Sequence, residues 1–186
     1  MVRGGLIPKG TLREPAEHLS RAHIFILTKS NIGYKNLHWI RQRLLSIKPD
    51  AIIFEAVHNP VEFYSITEKK IYPIEELKHR RVAVISGIGD PHSFEKTVEK
   101  LTGQIMLAAR FDDHHDYSRH EIVQFLEKVK KMGVQDIVTT EKDSFRMEHH
   151  LLNGLPKDLG PMRYFYLKIE FDINEEEDFI RRCANS

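Results

Sequence analysis

Short apolar runs rich in β-branched residues alternate along the chain with longer stretches whose apolar positions recur every three or four residues. Residues 23–28 (HIFILT) and 51–57 (AIIFEAV) have the length and make-up of strands, with a helical stretch over about 36–47 between them. Residues 61–72 (VEFYSITEKKIY) predict an antiparallel pair turning at Glu68-Lys69. A regular series follows. Residues 82–86 (VAVIS) read as a buried strand, and GIGDP turns the chain. Asp90 is placed to cap the next helix, with Pro91 at its first position, where the missing N–H is not needed. Phe94, Val98 and Leu101 keep helical spacing. Residues 105–109 (IMLAA) predict another strand. Ser118 and Glu121 form an S-x-x-E capping box, and Ile122, Phe125, Leu126 and Val129 share one face of that helix, which ends at Gly133. Residues 136–140 (DIVTT) predict a strand, followed by helix to about 152, a last strand at 163–171 and a short terminal helix.

Strand and helix alternating at this spacing imply an α/β fold, a mostly parallel sheet with crossover helices in a Rossmann-like three-layer arrangement. Such sheets bind ligands beyond the carboxyl ends of their strands. The three densest polar clusters, SGIGDP, FDDHHDY and TTEKDS, each follow a predicted strand directly and are expected along one edge of the sheet.

The 186 residues suffice for one domain or a tight pair. Apolar residues at 41% and charged residues at 30% fit a globular protein. Lys and Arg (28) nearly balance Asp and Glu (27), which argues against a nucleic-acid partner. The single cysteine, Cys183, excludes an intrachain disulfide and a thiolate zinc cage. No apolar run approaches the roughly 20 residues that span a bilayer, and the first residues do not read as a signal peptide. The opening MVRGGLIPKG consists of residue types found inside loops, so the chain is expected to start within a larger protein.

The segment ARFDDHHDYSRHE sets three aspartates and two histidines within five positions, Asp112 to Asp116. Carboxylates beside imidazoles fix a histidine's tautomer and shift its titration, which suits proton handling; a polar loop whose aspartates cap the coming helix is the equal alternative. The adjacent His114 and His115 would point opposite ways in an extended segment. In TLREP, Pro15 fits the first helical position, leaving Arg13 and Glu14 in the loop before it, and Glu14 available either to hold a cation or to join an exposed salt bridge. GGLIPKGT has the G-x-x-x-x-G spacing but lacks the Lys and Ser/Thr that must follow, and GIGDPH has His92 where a dinucleotide loop needs its third glycine. The chain therefore shows no nucleotide-phosphate cradle. In TTEKD, Lys142 between two acids suits either a phosphate contact or a solvated ion network.

Taken in order, LIPKGTLREP, SGIGDPHSFEKTVEKL, RFDDHHDYS and VTTEKDSFR resemble the C-terminal half of the tetraacyldisaccharide 4'-kinase (lipid A 4'-kinase) family, over about Leu6 to Phe145. The resemblance implies an α/β enzyme of two lobes, a P-loop core and a smaller lobe, with the active site in the cleft between them. On that basis residues 1–80 would be the C-terminal part of the kinase core region and residues 81–186 an α/β C-terminal lobe. It implies ATP- and Mg2+-dependent phosphorylation of the 4'-hydroxyl of an acylated disaccharide lipid, a step of lipid A biosynthesis at the cytoplasmic face of the bacterial inner membrane, with peripheral membrane association. It places Glu14 near the catalytic magnesium and Arg13 near phosphate or substrate charge. His114 becomes the partner that orients and tunes a catalytic aspartate, with Asp113 beside it and His115 as the alternative, and Lys142 the candidate phosphate contact. The family's P-loop and catalytic aspartate lie upstream of this sequence, so the chain is expected to need that missing half and to be inactive alone. A metal-dependent hydrolase or phosphatase using Asp112, Asp113, His114 and Asp116 is the alternative, and a non-catalytic binding lobe a third.

Overall fold

A computed structural model describes residues 14–28, 30, 34–152, 155–156 and 159–184. The chain folds into two compact units, Met1–Asn59 with Phe171–Ser186, and Pro60–Glu170.

In the first unit a 3-10 helix, Ala16–Arg21, precedes β1 (Ile24–Thr28), α1 (Tyr34–Ile47) and the start of β2 (Ile52–Ser65). β1 and β2 pair in parallel from Ile24↔Ile52 to Thr28↔Ala56, as a strand–helix–strand crossover requires. The end of β7 (Arg163–Ile173) and α5 (Glu176–Ala184) complete this unit, with Phe179 edge-on to Phe54 at 5.3 Å. β2 runs through residues 58–60, joining the expected strand at 51–57 to the first part of the expected pair at 61–72. Pro60 falls between the segment paired with β1 and the segment Glu62–Ser65 paired with β3 (Lys70–Pro73), so neither pairing needs the N–H it lacks.

The second unit holds the rest: β3, β4 (Arg81–Ser86), α2 (Pro91–Leu101), β5 (Gln104–Arg110), α3 (Arg119–Lys131), β6 (Asp136–Thr140) and α4 (Glu141–Leu152). Its strands lie in the order β2-β7-β6-β4-β5, with β3 antiparallel to β2 as predicted. β4 pairs in parallel with both β5 and β6, and β6 with β7. Alternation along these strands explains why their sequences are apolar throughout. Ala83, Ile85, Ile137 and Tyr164 pack with Ile122, Phe125, Leu126 and Val129 of α3 and Met147 and Leu151 of α4. Val82, Val84, Val138 and Phe165 pack on the other face with Phe94 and Val98 of α2. The unit is thus a sheet between two helical layers.

The helix boundaries follow local chemistry. Asp90 accepts the Ser93 amide with Pro91 at the first helical position. Ser118 and Glu121 form the reciprocal capping box. Gly133, just past α3, takes φ +66°, which costs a residue without Cβ little. At the amino end of β6 the buried Asp136 accepts from Arg80 Nε at 2.6 Å and Arg163 Nε at 2.7 Å, and Arg163 also reaches Glu76. The opposite, carboxyl end of the sheet is where the three polar clusters gather.

Candidate functional site at the carboxyl ends of β4, β5 and β6

Because β4, β5 and β6 run the same way, the segments that follow them emerge at one edge, as the sequence pattern predicts. Backbone bonds then fasten them together. Phe111 N donates to Ser86 O at 2.8 Å and His114 N to Gly87 O at 3.2 Å, pinning the aspartate–histidine loop to the turn after β4. Gly87 is required by space: a Cβ there would lie 2.9 Å from Tyr117 Oη, 3.1 Å from Asp112 O and 3.3 Å from His115 Cβ.

The centre of the assembly is Asp143, fully buried at the start of α4. Its Oδ2 accepts the Gly87 amide at 2.9 Å and the Thr140 hydroxyl at 2.7 Å, and Thr140 Oγ1 in turn accepts the Asp143 amide. Its Oδ1 lies 3.3 Å from Arg146 Nη1. One carboxylate therefore joins the ends of β4 and β6 to the first turn of α4. Tyr117, 1% exposed, packs beside it; burial, then the Asp143 charge, push its phenol up, so it stays protonated.

The two histidines part company. His115 turns inward, stacked on the Phe111 ring at 4.6 Å and edge-on to Tyr117, with Nε2 3.2 Å from Glu121 Oε1. Hydrogen bonds from the Ser118 hydroxyl and amide, then from His115, draw the Glu121 carboxyl down to about 2. His114 adopts φ +66°, a left-handed conformation unusual outside glycine, and turns outward. Lys142 Nζ lies 3.1 Å from its Nε2 and Arg146 Nη2 3.1 Å from its Nδ1. Lys142 also reaches Asp113 Oδ1 at 3.3 Å. Partial desolvation works to raise the Asp113 carboxyl, but the Lys142 hydrogen bond and charge, with His114, outweigh it and hold it below the usual range.

Of the sequence candidates, Asp113, His114 and Lys142 thus meet in one cluster, with His115 anchored behind it. The solvated network expected around Lys142 takes another form: Asp143 is buried, and the partner of Lys142 is Asp113, 29 positions away. Glu14 lies in the first unit, half exposed. Pro15 is the residue before a 3-10 helix rather than its first residue, and Glu14 Oε2 accepts from Arg21 at 2.7 Å, with His18 Nδ1 at 3.4 Å. The Arg21 hydrogen bond and charge, then His18, hold its carboxyl below the ordinary value. Arg13 lies outside the described residues. Sequence reasoning passed over Asp143 as an anchor, and missed Arg146 and Tyr117. The available signal was Thr140-x-x-Asp143, the spacing of a helix-start box, with Arg146 one turn beyond. Among the described residues no three His, Cys, Asp or Glu side chains gather as a metal site. No helix among them is long and apolar enough to cross a membrane.

The family model described as tetraacyldisaccharide-1-P 4'-kinase (LpxK) matches residues 1–185. The chain is 30% identical to a tetraacyldisaccharide 4'-kinase of Halothermothrix orenii over 155 residues, 77% of this chain and 40% of that protein. To the Elusimicrobium minutum protein of the same name it is 29% identical over 177 residues, 95% of this chain and 45% of that one. It therefore spans less than half the length of these curated relatives, matching their C-terminal part. A crystal structure of the "apo" form of LpxK from Aquifex aeolicus in complex with ATP superposes with a TM-score of 0.61 at 22% identity, covering 97% of this chain and 47% of that one, and shows the shared fold. With its motifs in order and the model matched along almost its whole length, this chain belongs to the tetraacyldisaccharide-1-P 4'-kinase family.

Proposed function

We propose that this chain is the C-terminal portion of a tetraacyldisaccharide 4'-kinase, acting with a P-loop half to transfer the γ-phosphoryl group of ATP to the 4'-hydroxyl of tetraacyldisaccharide 1-phosphate in lipid A biosynthesis. The observation that carries this reading is the convergence of Asp113, His114 and Lys142 at the strand edge, in a chain of this family. Phosphoryl transfer depends on positioning and on compensating charge. His114, exposed and held from both sides, orients and tunes a catalytic aspartate supplied by the other half as the hydroxyl loses its proton. Lys142 shifts from Asp113 to a phosphate oxygen, and Asp113 holds it in readiness. His115 serves the loop, holding it against Phe111 and the start of α3.

Magnesium prefers one or two carboxylates together with phosphate oxygens and water. Glu14 fits as one such ligand once Arg21 releases its Oε2, and the family resemblance assigns Arg13 to phosphate or substrate charge. When bound, the ion would neutralise charge between the phosphates. Residues 1–80 would belong with the kinase core and 81–186 with the smaller lobe, the whole enzyme working peripherally at the cytoplasmic face of the inner membrane, where its lipid substrate lies.

The test supplies the P-loop half of a relative in trans with ATP, Mg2+ and lipid substrate, and follows labelled phosphate. The isolated chain should transfer none and the pair should be active. His114→Ala should cost on the order of 100-fold or more in kcat, as loss of an acid–base partner does. Activity of the pair that is indifferent to His114 would overturn the assignment.

A further inference from the structure

His114 presents both ring nitrogens to cationic donors, yet a neutral imidazole has only one acceptor nitrogen. Only one of Lys142 and Arg146 can therefore donate to it at a time, and whichever does so decides where the ring proton sits. The two cations are not equivalent. Arg146 is three-quarters covered and tied through Nη1 to Asp143, itself immobilised by the Gly87 amide and the Thr140 hydroxyl. Its planar fork can hold Asp143 with one nitrogen and His114 Nδ1 with the other. Lys142 is nearly half exposed, sits on a flexible stem and has Asp113 as a second partner.

We propose that Arg146 is a positioning residue that sets the tautomer of His114: its guanidinium donates to Nδ1 and keeps the ring proton on Nε2. The consequence, which rests on the proposed function, is that Nε2–H is the donor offered to a carboxylate of the other half. Lys142, unable to donate to a protonated nitrogen, remains available to an anion. Buried Asp143 is then the fixed point from which, through Arg146, the outward-facing imidazole is aimed.

The tautomer is directly readable. In the full chain labelled with 15N, at about pH 9 where histidine is neutral and lysine still charged, His114 should show a pyrrole-type Nε2 and a pyridine-type Nδ1. A 15N–15N coupling should pass through the hydrogen bond from Arg146 Nη2 to His114 Nδ1. Lys142→Met should leave this pattern unchanged. Arg146→Met should invert it, because Lys142 becomes the only donor and its target is Nε2. Wild type with the proton on Nδ1, absence of the coupling, or an Arg146→Met ring unchanged from wild type would each overturn the proposal. Should Arg146→Met fail to fold, the coupling in the wild-type chain decides. None of these readings needs nucleotide or substrate. A failed tautomer test with an active complemented pair therefore removes only this inference, and a confirmed tautomer with an inactive pair removes the kinase reading alone.

Discussion

Removing the Asp143 carboxylate probes the join at the centre of the site. Asp143→Ala leaves the buried Gly87 amide without its acceptor, frees the Thr140 hydroxyl and strips the charge facing Arg146. Breaking one partner out of a buried charged pair costs about 3–5 kcal/mol, because the groups left behind stay desolvated and unmet. Asp143→Asn keeps an oxygen for Gly87 and Thr140 but turns an amide NH2 toward Arg146, donor against donor. Its cost is therefore about 1–3 kcal/mol, that of one hydrogen bond to a charged group. At roughly 2–4 °C per kcal/mol for a chain of this size, the alanine variant should melt some 6–20 °C below wild type, with asparagine between. Near-ultraviolet circular dichroism is a suitable probe, since Tyr117 and Tyr164 are buried in the same unit. An alanine variant within about 0.5 kcal/mol of wild type, the usual range for a surface change, would refute the view of Asp143 as the join.

Further substitutions test the surroundings. Gly87→Ala forces a methyl against Tyr117 and the backbone of Asp112, and should cost about 1–3 kcal/mol in urea unfolding as overpacking does; a neutral result would contradict the crowding. His114→Gly relieves a left-handed side-chain residue and should stabilise the chain by up to about 1 kcal/mol while abolishing activity in the complemented pair, a trade of stability against function. A loss of more than about 1 kcal/mol would show instead that the ring holds the fold. Glu121 sits at about 2 in the folded chain against an ordinary 4.5, so its contribution is complete above 4.5 and is lost as pH falls toward 2. Ser118→Ala should cost about 0.5–2 kcal/mol at neutral pH and flatten stability across that acidic window, which pH-dependent denaturation would show.

Much of the second unit was readable in advance because its signals are local. Strand-length apolar runs, the Asp90-Pro91 cap, the Ser118–Glu121 box and Gly133 each act within a few residues, and each appears where the pattern put it. The meeting of the three polar clusters also followed, since parallel strands must end together. The partners within the site were less legible. Lys142 stands between two acids in sequence but binds neither, choosing Asp113 across the loop. Asp143, an apparently ordinary surface acid, is drawn inside because three donors converge there, and only the crossover geometry brings Gly87 within reach. The segments expected at 51–57 and 61–72 join in one continuous strand, because Pro60, which has no N–H, falls where neither mapped pairing asks for one.

The stapling of the loop after β5 also bears on how long its amides keep their hydrogens in heavy water. His114 N is spent on Gly87 O, Phe111 N on Ser86 O, and Gly87 N on the Asp143 side chain. These protons cannot be released singly by a fluttering loop; the Phe111 and His114 amides must wait for the loop after β5 to part from the end of β4, and the Gly87 amide for that turn to part from the first turn of α4. Deuterium uptake at Phe111, Gly87 and His114 is thus expected to keep pace with the neighbouring strands rather than with exposed connections, and to quicken together when Asp143 is replaced.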